Sequence, residues 1–164
     1  MSQEISIPDN LSKEEKYKAL IPQIEALVLG ESDEIANVAN IVAALKHTLD
    51  YFWAGLYRVQ SNHSIEELVL GPFQGPVACT RIRYGKGVCG KAWEDSATIL
   101  VDDVDQFPGH IACSSLSRSE IVVPVIKNNK VIAVLDVDST ELSAFDSIDI
   151  KYLEEVSNIL SRVL

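Results

Sequence analysis

The residues best suited to chemistry in this chain are three cysteines, Cys79, Cys89 and Cys113. An odd number cannot form a fully paired disulfide framework. Such thiols serve as buried small hydrophobes, as metal ligands or as redox-active nucleophiles. Zinc sites favour close pairs such as C-x-x-C, and the sequence has none. His110 and Cys113 make a single H-x-x-C pair, which leaves metal binding a minor reading. Cys79 lies in VACTRIRY, where it could simply face a core. Cys89 sits between Gly87 and Gly90 at an expected helix start, whose N-terminus would favour a thiolate. Cys113 lies in GHIACSSLS, a run of small and polar residues where an accessible thiol is expected.

A second group is acidic. Glu120 opens and Asp136 and Asp138 close the stretch SEIVVPVIKNNKVIAVLDVDS. If Asn128-Asn129 turns a hairpin, counting outward sets residues 120 and 137 nearly opposite, and Asp136 and Asp138 share a strand face. Carboxylates at the ends of apolar strands are costly unless solvated or paired. Strand ends exiting to water are the commoner case. The alternative is a negatively lined pocket for a cationic group. Trp53 and Tyr57, four apart on one strand face, fit either a core or an apolar ligand slot.

The elements that must position these residues follow from periodicity. Helical spacing runs from Lys13 to Leu29, where Pro22 is expected to kink or split the helix. A second helix follows Ser32 as N-cap, with Ile35, Val38, Ala39, Val42 and Leu45 on one face. Strands are expected at Tyr51 to Val59, at Glu67 to Leu70 ended by Gly71-Pro72, and at Val77 to Tyr84. A short helix from Val88 to Glu94 and a short strand from Thr98 to Val101 come next. Asp102 to Ser119 reads as a long loop with one helical turn, and long irregular segments of this kind often carry function. Strands Glu120 to Ile126 and Val131 to Asp138 then flank the Asn-Asn turn. A helix capped by Asp146 lies within Phe145 to Leu164. Short connections imply a largely antiparallel sheet of about six strands, flanked by helices in an α+β arrangement. Residues 1–12 are expected to be a flexible lead-in, and 13–164 one domain.

Composition narrows the function classes. The chain has 164 residues, 47% of them apolar, which suits one soluble globular domain. Its formal net charge of −10 disfavours nucleic acid or an anionic membrane as partner. No apolar run suits a membrane span, and Met1 to Lys18 lacks a secretory core, so a cytoplasmic, thiol-reducing setting is expected.

Several stretches together resemble the free methionine-(R)-sulfoxide reductases of the GAF fold: WAGLY (53–57), LGPFQGPVACTRI (70–82), GKGVCGKAW (85–93), FPGHIACSSLSRSEIVVP (107–124) and VLDVDS (134–139). The resemblance spans about residues 30–164. It implies Cys113 as catalytic nucleophile, Cys79 as resolving cysteine and Cys89 as a pocket-lining, secondary thiol. It implies Glu120, Asp136 and Asp138 at the substrate's amino group and sulfoxide, and Trp53 and Tyr57 at its methyl-sulfoxide end. Thioredoxin is the implied reductant, no cofactor or metal is required, and a homodimer follows by family analogy. The rival expectation is a non-catalytic GAF module that binds a small molecule or senses redox state. Such modules usually sit beside output domains, and none is expected here.

Overall fold

The computed structural model describes residues 4–62, 65–111 and 113–164. The first three residues of the lead-in, part of the expected turn near Ser64, and Ala112 of the GHIAC stretch lie outside the described residues. The order is α1 (Lys13–Val28), α2 (Glu34–Leu49), β1 (Trp53–Asn62), β2 (Ile65–Gln74), β3 (Arg81–Arg83), α3 (Gly87–Asp95), β4 (Ile99–Val101), a 3₁₀ turn (Val104–Gln106), β5 (Ser119–Lys127), β6 (Lys130–Ser139) and α4 (Ser147–Val163). The strands form a six-stranded sheet in the order β3-β2-β1-β6-β5-β4, with every neighbouring pair antiparallel.

The two faces of this sheet do different work, because side chains alternate along each strand. One face carries Ala54, Leu56, Ile121, Val123, Leu135 and Val137, all buried under α1, α2 and α4. Fully burying one such aliphatic side chain stabilises by about 1.5–3 kcal/mol, so this face holds the main core. The opposite face carries Trp53, Tyr57, Val122 and Val134, against which α3 packs Val88, Ala92 and Trp93. The acidic residues share this second face. In register, Glu120 lies opposite Asp138, Val122 opposite Asp136, and Gly55 opposite Asp136 on the other side.

Several local expectations need correction. Pro22 sits inside α1, which continues through it unsplit. Asp33, not Ser32, caps α2, because its carboxylate accepts the Ala36 N–H at 2.8 Å. Val38, Val42 and Leu45 are buried as expected, but Ile35 is exposed and Ala39 only half-buried, and Asn37, Ile41 and Ala44 complete the buried face. Strand β2 does not stop at Gly71-Pro72. Those two residues oppose Leu56 alone in a β-bulge, where proline removes no ladder hydrogen bond. The third strand is only Arg81–Arg83, so Cys79 lies in the irregular segment before it. Asn128 and Asn129 both have positive φ (52° and 59°), as the hairpin turn requires. A second bulge past that turn shifts the register by one, so Glu120 faces Asp138 rather than residue 137.

A buried polar network fastens the helical layer. Asp149 in the first turn of α4 accepts hydrogen bonds from Tyr17 (2.8 Å), Lys13 (2.6 Å) and the Asp146 N–H (2.9 Å). Tyr17 and Tyr51 share a further hydroxyl–hydroxyl bond, which ties α1 to the residues that lead into β1. Ile5 and Ile7 pack on the core beside it, and Ser6 exchanges hydrogen bonds with Gln23.

Removing the carboxylate would take away the shared acceptor of the buried Tyr17–Tyr51 hydroxyl pair, leave Lys13 without its buried partner and break the α4 capping box. Asp149→Ala is therefore expected to destabilise the protein by about 3–5 kcal/mol in urea unfolding. A loss below about 1 kcal/mol, the range of an ordinary surface change, would show that the network does not fasten the layers.

Candidate active site

The second sheet face is roofed by α3 and by the loop between the 3₁₀ turn and β5. Beneath them lies a pocket lined by Trp53, Tyr57, Cys89, Cys113, Glu120, Asp136 and Asp138. The residues singled out by sequence thus converge here, with Cys79 joined at the rim. Three neighbouring strands supply the aromatic and acidic residues. Trp53 and Tyr57 project from β1, Glu120 from β5, and Asp136 and Asp138 from β6. Gly55 leaves room for the Trp53 indole, because a Cβ there would collide with the ring and, at 2.6 Å, with Phe73. The indole stacks on Phe73 (5.4 Å between centroids) and donates to the Pro76 carbonyl at 3.0 Å. The Tyr57 hydroxyl donates to the Cys79 carbonyl, also at 3.0 Å. Both aromatics therefore do double duty: they wall the pocket and anchor the segment that carries Cys79.

Cys79 and Cys113 form a disulfide across 34 residues, with Cα atoms 5.3 Å apart. It ties the segment before β3 to the loop over the pocket. Gly87 allows this loop to approach, since a Cβ there would press on Ile111 at 3.2 Å. Both cysteines are half-buried. Cys89 is free and 3% exposed, in the first turn of α3.

The electrostatics of the floor are unusual. Glu120 and Asp136 are buried, and Asp138 is half-buried. Desolvation pushes the Glu120 carboxyl well up, and Asp138 adds to it. Asp136 is raised by burial and by both neighbouring acids. Asp138 is pushed up to about 6 by burial, against the opposing pull of Ser117 and His110. The cluster therefore retains protons that isolated carboxyls would lose. Cys89 departs from expectation. Its helix N-terminus would favour a thiolate, but burial and the Asp136 and Glu120 charges hold the thiol neutral.

Two pocket residues were not assigned to the acids from sequence. His110 Nε2 lies 3.6 Å from Glu120 Oε2, and Ser117 hydrogen-bonds Asp138. The H-x-x-C spacing singled out His110 only as a partner for Cys113, and nothing in the spacing marks Ser117. Among the described residues, the candidate metal-ligating group is Cys89, Glu120 and Asp136, whose donor atoms lie within 4.8 Å of one another. No helix among the described residues is long and apolar enough to cross a membrane.

Comparisons with known proteins agree with this geometry. A GAF domain model matches residues 32–164. The chain is 57% identical over 151 residues to GAF domain-containing protein A of Dictyostelium discoideum, covering 92% of this chain and 94% of that one. It is 42% identical over 155 residues to the free methionine-R-sulfoxide reductase of Escherichia coli K12, covering 94% and 92%. A solved free methionine-R-sulfoxide reductase from Neisseria meningitidis, in complex with its substrate, superposes with a TM-score of 0.91 at 48% identity, covering 98% of this chain and 95% of that one. With that identity, coverage and structural agreement, the chain belongs to the GAF-fold family of free methionine-R-sulfoxide reductases.

Proposed function

We propose that the protein reduces free methionine-R-sulfoxide to methionine, with Cys113 as nucleophile and Cys79 as resolving thiol. The observation that carries this reading is the junction of a Cys79–Cys113 disulfide with three crowded carboxyls around one pocket. Reduction of a sulfoxide needs both features. The sulfur is electrophilic only when its oxygen is protonated or strongly hydrogen-bonded. Raised carboxyl pKa values leave protonated donors available near neutral pH. An ionised member of the same cluster suits the ammonium group of a free amino acid. The Trp53 and Tyr57 rings offer the apolar wall that a methyl group needs.

The cycle balances with thiols alone. In the reduced enzyme, Cys113 attacks the sulfoxide sulfur, oxygen passes to Cys113, and methionine leaves. Cys113 is thereby oxidised to a sulfenic acid. The Cys79 thiol displaces hydroxide from that sulfenic acid, which leaves as water with the released proton, and the disulfide forms. A dithiol protein of the thioredoxin class then reduces the disulfide by thiol exchange, as in a thiol-reducing cytoplasm. Burial of the Cys89 thiol keeps it a pocket wall and a secondary thiol in this cycle.

The two cysteines separate cleanly in a single-turnover experiment. Cys113→Ser is expected to release no methionine, and Cys79→Ser about one methionine per site, with poor recycling by thioredoxin. Near-normal release from Cys113→Ser would overturn the nucleophile assignment, and full turnover by Cys79→Ser would remove it as resolver.

Asp138 links function to stability with a defined sign. Its pKa rises on folding from 3.8 to about 6, so the folded state holds that proton more tightly than the unfolded chain. Stability from this group is complete below about pH 4 and is lost as pH rises through about 6. Asp138→Asn removes the cost of the charge. It is expected to stabilise the free protein by on the order of 2 kcal/mol near neutral pH, several degrees in Tm, with the gain vanishing toward about pH 4. The same variant should lose on the order of 10²-fold or more in kcat/KM for the sulfoxide. A variant with unchanged kcat/KM and no pH-dependent gain in Tm would contradict the role of this acid.

A further inference from the structure

The same acids meet a group that the reduction cycle does not consume. The Cys89 Sγ lies 4.0 Å from Glu120 Oε1, and Asp136 completes a trio whose donor atoms fall within 4.8 Å of one another. All three residues are more than nine-tenths buried. Asp136 Oδ1 has no hydrogen-bond partner, although it is buried and its residue lines the pocket. A buried oxygen without a partner is costly and marks a place for a positive ligand.

We propose that Cys89, Glu120 and Asp136 form an inhibitory site for one soft divalent cation, of the zinc or cadmium class, that competes with the substrate's ammonium group. Bond lengths of about 2.3 Å to sulfur and 2.0–2.2 Å to oxygen set the donor atoms of a tetrahedral site roughly 3.5 Å apart. The trio, with donor atoms within 4.8 Å of one another, must close by roughly 1 Å to reach that spacing. The three backbones that carry it belong to α3, β5 and β6, so the frame is rigid. The thiol selects the class of ion. Magnesium and calcium prefer all-oxygen shells, whereas thiolate ligands favour zinc and its heavier relatives. Coordination displaces the thiol proton, so binding releases a proton and strengthens as pH rises. His110, beside the other oxygen of Glu120 at 3.6 Å, is placed to approach the fourth position.

Competition with substrate rests on the reductase reading, but the cation site does not. In the disulfide form Cys89 is the one free thiol of the three, which makes the readout unambiguous. Titration of that form with cadmium chloride should produce a thiolate-to-cadmium absorption band that saturates at about one ion per chain. The band should vanish in Cys89→Ser, and cadmium should bind on the order of tenfold more weakly in Asp136→Asn. Free methionine sulfoxide should displace the ion. A missing band, a band retained in Cys89→Ser, or unchanged affinity in Asp136→Asn would overturn the site. A band that methionine sulfoxide leaves intact would overturn the competition. Saturable cadmium binding in a protein without sulfoxide turnover would support the site while sinking the reductase reading.

Discussion

Glu120 and Asp138 stand directly opposite each other across β5 and β6, with Asp136 on the same face. Carboxyls placed so on the interior of a sheet cannot all ionise at low cost, because each is desolvated and each raises its neighbours. The rest of the structure is arranged around that constraint. The opposite sheet face is apolar and covered by α2 and α4, on which α1 packs, and it holds the larger of the two hydrophobic clusters. The Asp149 network fastens those helices to one another and to the approach to β1. A strained acidic floor on one side is thus supported by an ordinary hydrophobic core on the other.

The redox pair is attached to this floor through the aromatics rather than through the sheet itself. Cys79 and Cys113 come from two irregular segments, which suits the approach and separation that the proposed cycle would ask of them. Tyr57 holds one segment by its carbonyl, and Gly87 admits the other against α3. In the proposed cycle, a nucleophile on a loop above proton donors on strands would separate the part that must move from the part that must stay in place.

Much of this was legible in the sequence where the signal was local and periodic. The Asn128-Asn129 turn between two apolar strands located the hairpin, and strand alternation put Asp136 and Asp138 on one face. What failed was what periodicity does not encode. A bulge near the turn moved the partner of Glu120 from residue 137 to Asp138. Gly71-Pro72 looked like a terminator because proline normally ends pairing, yet a bulge absorbs it. Asp33 outcompeted Ser32 as a cap by one position. The Cys79–Cys113 pairing, separated by 34 residues, has no local signature, and only the family resemblance singled the two out together. His110 and Ser117 reach the acids through folding of a loop with no regular period.

The most direct measurement is thioredoxin-coupled turnover of the purified R and S epimers of free methionine sulfoxide, alongside the same sulfoxides in peptide linkage. Turnover of the free R epimer, with little for the S epimer or for peptides lacking a free ammonium group, is the expected result. Equal turnover of both epimers, efficient reduction of the peptide form, or no turnover of the free R epimer would contradict a pocket built from these acids and thiols for a free amino acid.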